Sequence, residues 1–230
     1  MFYWFMKYVV IGPFVKAIFR PWIVGRGNVP ASGAAILASN HLSVSDSIFL
    51  PLMIDRPMSF LAKSDYFTGK GVKGWSTRMF MKATGQIPID RTGGKASEDS
   101  LNTGLQVLGR GDLLGIYPEG TRTRPGERRK YKHGVGTIQA ATGLEIHPVA
   151  VNSGLFWGRD GLRLRPGRAV IEFLPGVPAG QDAAATVALL EQRVQQVQRL
   201  DLRVASGRGR SGRRRAGCRD SRAKSARASC

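Results

Sequence analysis

The sequence predicts an α/β fold: a single domain with a mixed, mostly parallel central sheet flanked by helices. Three observations carry that prediction. Apolar runs at 34–38, 58–62, 113–117 and 145–151 are too short for helices and read as buried strands. Between them lie stretches of helical periodicity, as in 96–110, where Ala96, Leu101, Leu105 and Leu108 mark one apolar face. The stretches richest in chemistry follow the carboxyl ends of apolar runs, where open α/β sheets usually carry their sites.

The chain has 230 residues, enough for one well-cored domain and too few for two large ones. A hydrophobic content of 42% fits a globular protein. The net charge is +19, and the last stretch, 203–230, holds ten Lys/Arg against the single acid Asp220. About +10 therefore remains on residues 1–202, which implies an anionic partner such as a phosphate headgroup surface or nucleic acid. The two cysteines, Cys218 and Cys230, both lie in the basic tail. They supply no disulfide framework or Cys-based metal site, and a reducing compartment is expected.

Residues 1–24 are rich in large apolar side chains, with Trp4 and Trp22 near the ends and Lys7, Lys16 and Arg20 among them. The longest uncharged run, Tyr8 to Val15, is eight residues and contains Pro13, far short of the ~20 that span a bilayer. The expectation is an N-terminal membrane-interfacial helical segment, with aromatics and basic groups at headgroup level. Gly25 to Gly33 is turn chemistry separating this segment from a body at 25–202.

The run Ala34–Ala38 delivers Ser39-Asn40-His41-Leu42-Ser43-Val44-Ser45-Asp46. A histidine with a carboxylate five residues on is a candidate general base with its orienting partner. Within one helix a five-residue step is about 500°, which turns the two side chains roughly 140° apart. The pair therefore requires His41 in the turn before a helix and Asp46 in its first turn. Ser43 or Ser45 is the expected cap, Ile48 to Leu50 continue the helix, and Pro51 breaks or kinks it.

After a strand at 58–62, residues 66–83 mix aromatics with Lys and Arg and read as a helix-and-loop surface, a second membrane-facing patch or an acyl-chain wall. Gly85 to Arg91 is a short strand ending in Asp90-Arg91, a solvated strand end unless the strand is parallel to the first. In that case Arg91 reaches the His41 edge and grips a phosphate. The strand at 113–117 ends in Pro118-Glu119-Gly120-Thr121-Arg122, where Pro fixes the exit, Gly permits close backbone approach and Arg122 suits an oxyanion. Glu119 is expected to hold the Arg122 guanidinium. The basic run Arg128 to His133 borders the same edge. His147 has no partner visible in the sequence and reads as structural. Residues 154–174 suggest a hairpin, 183–200 a helix, and 203–230 a disordered basic tail with no core function.

Taken together, Asn40-His41-x4-Asp46, Gly85-x-Ile87-x-Ile89-Asp90-Arg91, Tyr117-Pro118-Glu119-Gly120-Thr121-Arg122 and Ile146-His147-Pro148-Val149 resemble the four ordered blocks of the glycerolipid acyltransferases. The likeness covers about residues 25–175 and is nearest to bacterial lysophosphatidic acid acyltransferases. It implies that His41 deprotonates the acceptor hydroxyl and Asp46 orients its imidazole. It further implies that Arg91, Glu119, Gly120, Thr121 and Arg122 form the acceptor's phosphate site, and that Pro148 supports the core strand. Tyr117 stands where such proteins often carry Phe, and His147 where an apolar residue is usual. Neither is expected to touch the chemistry.

The implied reaction moves a fatty acyl group from acyl-CoA or acyl-ACP, as co-substrate, to the free hydroxyl of 1-acylglycerol 3-phosphate, with no cofactor and no metal. Backbone N–H groups of the His41 loop are the candidate oxyanion donors. The implied location is the cytoplasmic face of the plasma membrane, peripheral or shallowly inserted, against an anionic lipid surface. Three other readings stand beside this one: a different lysolipid acceptor, a catalytically silent membrane adaptor, and a basic nucleic-acid binder. The last lacks a recognisable binding motif or aromatic platform, so no specific nucleic acid is expected.

Overall fold

The computed structural model describes residues 2–90, 96–159 and 164–205. Strands β1 (Trp22–Val24), β2 (Ala35–Ser39), β3 (Met58–Lys63), β4 (Gln86–Ile89), β5 (Leu113–Ile116), β6 (Ile146–Val151) and β7 (Val170–Phe173) form one sheet in the order β1-β7-β6-β2-β5-β3-β4. The pairs from β6 through β4 are parallel, while β7 runs antiparallel to β6 and β1 follows β7. This is the mixed, mostly parallel sheet the apolar runs imply.

Both faces of the sheet are covered, which is why the central strands read as unbroken apolar runs. Alternate residues point to opposite faces: Ala35 and Leu37 enter one core, Ile36 and Ala38 the other. The first core takes α2 (Gly12–Phe19) and α3 (Asp46–Met53) through Val15, Phe19, Phe49 and Leu50. The second takes α6 (Ala96–Gly109), α7 (Gly134–Thr142) and α8 (Ala183–Ala205) through Val107, Leu108, Ile138, Val187 and Leu190. Short α4 (Asp65–Thr68) and α5 (Gly71–Ala83) lead from β3 into β4.

At the N-terminus, α1 (Phe2–Phe5), a π-helical stretch (Met6–Ile11) and α2 run as one helical segment that ends at Phe19. Trp22–Val24, grouped with that segment in the sequence, instead forms the edge strand β1 by pairing with β7. The segment is two-sided. Phe5, Tyr8, Val9, Val10 and Phe14 are exposed, whereas Val15 and Phe19 are core residues. Phe19 packs edge-on against Phe49 and stacks on Trp157. Lys7 is buried, its ammonium donating to the Ile54 carbonyl and lying over Trp4 and Tyr8. Burial pushes its amine down to about 8. Among the described residues, no helix is long and apolar enough to cross a membrane.

Several further details differ from expectation. Pro51 lies inside α3 and the helix continues to Met53, a short run that is held by core packing on both sides of the proline. Ser45 occupies the cap position of α3, but its hydroxyl donates to Ser43 Oγ at 2.9 Å and caps no backbone N–H. Across 154–174, where a hairpin is expected, the described residues show the Trp157–Leu164 bridge, and β7 closes onto β6. The helix expected at 183–200 extends to Ala205; residues 206–230 lie outside the described residues.

Asn40 fastens the end of β2 to the end of β6. Its amide donates to the Val151 carbonyl at 2.8 Å and its carbonyl accepts from Val151 N at 2.8 Å, all of it buried. Asn40→Ala leaves two buried backbone groups of Val151 unpaired. Urea denaturation should show a loss of about 2–4 kcal/mol.

Candidate active site

Three adjacent strands, β6, β2 and β5, run in the same direction, so their carboxyl ends meet at one edge of the sheet. The loop after β2 carries His41, and α3 opens with Asp46. The requirement set by the five-residue spacing is met: His41 Nδ1 lies 2.9 Å from Asp46 Oδ2. The Asp46 side chain is fully buried and that of His41 is 16% exposed.

A buried carboxylate is tolerated only when its oxygens are paired. Asp46 Oδ2 also accepts from Leu42 N at 2.7 Å and Ser43 N at 2.9 Å, and Oδ1 accepts from the Ser153 hydroxyl. These donors suit the ionised form. A His41 tautomer with its proton on Nδ1 donates to this carboxylate and turns the Nε2 lone pair away from it. The arrangement is that of a base with its orienter.

The loop after β5 wraps His41 at three points. Tyr117 stacks on the imidazole with ring centroids 3.9 Å apart and an 11° tilt. Glu119 Oε1 accepts from His41 N at 3.3 Å, and the His41 carbonyl accepts from Thr123 N at 2.8 Å and Thr123 Oγ1 at 3.2 Å. Tyr117 in turn stacks on Phe60, and its hydroxyl shares a 3.0 Å hydrogen bond with Ser47. Burial, with the Asp46 carboxylate adding to it, holds the Tyr117 phenol well above its ordinary range. The expectation that Tyr117 stays clear of the chemistry is thus corrected: its ring forms one wall of the base.

Glu119 does not hold Arg122. Its carboxylate turns inward to His41 N, while Arg122 donates from NH1 to the Arg159 carbonyl at 2.7 Å. Burial raises the Glu119 carboxyl to about 7, offset in part by hydrogen bonds from backbone N–H groups including that of His41. Thr121 and Arg122 are half-buried beside exposed Gly120. Gly120 adopts φ +69°, and a Cβ there would lie 2.7 Å from Lys132 Cε and 2.9 Å from its Nζ. Lys132 N donates to the Pro118 carbonyl at 2.9 Å, so the basic run beyond residue 128 is tied to this loop.

Arg91 lies outside the described residues. β4, which leads to it, is parallel to β3 and thereby to β2, with its carboxyl end on the His41 edge. It stands three strands from β2, roughly 14 Å across the sheet.

Four of the loop N–H groups expected as oxyanion donors are already engaged. The N–H groups of His41, Leu42 and Ser43 donate to Glu119 and Asp46, and that of Ser45 to Ser43 Oγ at 3.2 Å. His147 is a buried residue of β6, with Nε2 4.0 Å from the Glu145 carboxylate. Burial, opposed in part by Glu145, holds its imidazole below the usual histidine range.

Residues 21–152 match the Acyltransferase family model. The chain belongs to the acyltransferase family. The 1-acyl-sn-glycerol-3-phosphate acyltransferase of Pseudomonas aeruginosa is 29% identical over 182 residues, covering 79% of this chain and 68% of that protein. The Bacillus subtilis protein of the same name is 26% identical over 182 residues, covering 76% and 87%. The chloroplastic LPAT1 of Arabidopsis thaliana is 30% identical over 130 residues, and the match spans only 35% of its length. The crystal structure of PlsC from Thermotoga maritima superposes with a TM-score of 0.63 over 86% of this chain and 87% of that one, at 17% identity, which shows a shared fold.

The acyltransferase match includes His41, Asp46 and Glu119 to Arg122, and it ends one residue before Ser153. Ser153 and Tyr117 are the site residues missed by sequence reasoning. The available signal was positional: each follows the carboxyl end of a strand adjacent to β2.

Glu119 gives a pH test. Its carboxyl is raised in the fold, so its contribution to stability is full below the ordinary glutamate range and is lost as pH rises from about 4.5 to about 7. Glu119→Gln should abolish that slope, leaving the variant more stable relative to wild type at pH 8 than at pH 4, on the order of 3 kcal/mol. Chemical denaturation at the two pH values reads the difference.

Proposed function

We propose that this acyltransferase moves a fatty acyl group from a thioester of coenzyme A or acyl carrier protein to the free hydroxyl of 1-acylglycerol 3-phosphate. The observation that carries the reading is the 2.9 Å contact between His41 Nδ1 and the buried Asp46, which leaves Nε2 as base at the sheet edge. The names of its relatives support the choice of acceptor. Their lower identity leaves the donor open, and a thioester is required only by the energetics of direct acyl transfer.

His41 Nε2 takes the hydroxyl proton as the acceptor oxygen attacks the thioester carbonyl carbon. The tetrahedral adduct then expels the thiolate, which recovers the proton from the imidazolium. Asp46 stabilises that imidazolium, and the step needs no covalent enzyme intermediate because the donor is already activated. Arg122 meets the acceptor phosphate with the N–H donors not directed to Arg159, and the Gly120 turn and Lys132 ammonium lie beside it. Binding at the phosphate sets the hydroxyl in place, a positioning effect that can exceed the base itself.

A small, mostly apolar cleft between the N-terminal helices and α3, lined by Tyr3, Met6, Lys7, Ile11, Ile48, Leu52 and Ser47, is the proposed point of entry for an acyl tail. The exposed Phe5, Tyr8, Val9, Val10 and Phe14, with the net positive body, are proposed to meet an anionic membrane surface, at the cytoplasmic side.

His41→Ala should lower the transfer rate by roughly 10²–10⁴-fold with an unchanged fold by circular dichroism. A wild-type rate in that variant removes His41 as the base. Arg122→Ala should raise the KM for 1-acylglycerol 3-phosphate by about 10- to 100-fold with a smaller change in kcat. Comparison with a phosphate-lacking monoacylglycerol tests the same contact. Equal use of both acceptors by the wild type points to a different lysolipid.

A further inference from the structure

The turn that follows β6 is built against the His41 loop at four separate points. Asn40 clamps Val151 through two hydrogen bonds. The Ser153 hydroxyl donates to Asp46 Oδ1. Gly154 sits so close to Leu42 that a Cβ on it would lie 2.5 Å from Leu42 Cβ. Ser43 Oγ donates to the Gly158 carbonyl at 3.4 Å. Ser153 itself is buried and opens the short 3-10 turn Ser153–Leu155, whose other anchor, Asn152, accepts from Val170 N at 2.7 Å and so ties the turn to β7.

We propose that Ser153 is a positioning residue for the reaction, its hydroxyl holding Asp46 Oδ1 so that Oδ2 stays on His41 Nδ1. The division of labour follows from the contacts. Oδ2 serves three donors, His41 Nδ1, Leu42 N and Ser43 N, whereas the contact made by Oδ1 is the Ser153 hydroxyl. The carboxylate is fully buried, so water does not replace a lost donor. Removing the hydroxyl frees the carboxylate to turn about its terminal bond and weakens the pairing that keeps the His41 proton on Nδ1. The inference rests on the acyl-transfer reading for its effect on rate, and on geometry alone for its effect on the resting imidazole.

The test uses the full chain as wild type, Ser153→Ala, Ser153→Cys and Asp46→Asn. In the absence of substrate, proton NMR follows the downfield Nδ1 proton of His41, which Asp46→Asn should abolish. Ser153→Ala should weaken or broaden it, with Ser153→Cys, a weaker donor, between alanine and wild type. With an acyl-CoA thioester and 1-acylglycerol 3-phosphate, Ser153→Ala should lower kcat roughly tenfold or more at neutral pH. The acceptor KM should stay within about twofold. An unchanged resonance in Ser153→Ala, or an unchanged kcat, overturns the proposal. If the wild type transfers no acyl group, the functional reading fails while the resonance still decides the role of Ser153. Should Ser153→Ala not fold, the cysteine variant carries the same comparison.

Discussion

A single buried carboxylate constrains the geometry of this site. Asp46 has no exposed side-chain surface, so its charge is affordable only if protein donors replace the water it has lost. Those donors come from two stretches distant in sequence: the Leu42 and Ser43 backbone with the His41 ring, and the turn after β6. Each must lie within hydrogen-bonding reach of the same carboxylate at once. The loop that carries the base is therefore shaped by what Asp46 needs. Two of its N–H groups, those of Leu42 and Ser43, are consumed in meeting that need.

The convergence is a consequence of strand order. β2 is central, with β5 and β6 as its two parallel neighbours, so the loops after all three leave the sheet side by side. Tyr117 reaches the imidazole because it is the first residue past β5, and Ser153 reaches Asp46 because it stands two residues past β6. A reversed neighbour would deliver its loop to the far edge. β7, the strand that does run the other way, lies outside this trio and contributes through Asn152 rather than through the base.

Much of this architecture was legible in the sequence, and the failures share a cause. Runs such as Ala35–Ser39 announce themselves because both faces are buried, and the His41–Asp46 spacing permits only a loop-then-helix arrangement. What stayed hidden depends on partners far along the chain. Trp22–Val24 reads with the apolar N-terminus but pairs with Val170–Glu172, 148 residues away in register. Glu119 and Arg122 look like a local ion pair at a three-residue spacing, yet burial turns the carboxylate toward His41 N and the guanidinium toward Arg159. Ser153 carries no signature at all; a serine after a strand is ordinary until the strand's neighbour is known.

The N-terminal segment joins the same constraint from the other side. Val15 and Phe19 pack on Phe49 and the rest of α3, the helix whose first residue is Asp46, so the packing that seats this segment also seats the carboxylate. Its outward face is aromatic and apolar, and its inward face borders the cleft that ends at Ser47, the neighbour of Asp46 and the partner of the Tyr117 hydroxyl. A hydrocarbon chain following apolar surface from that outward face would thus arrive beside the base rather than at a remote part of the sheet. The proposed phosphate contacts, Gly120, Arg122 and Lys132, lie on the polar loop after β5. In the proposed reaction one end is served by apolar contact and the other by charge, with the imidazole between them.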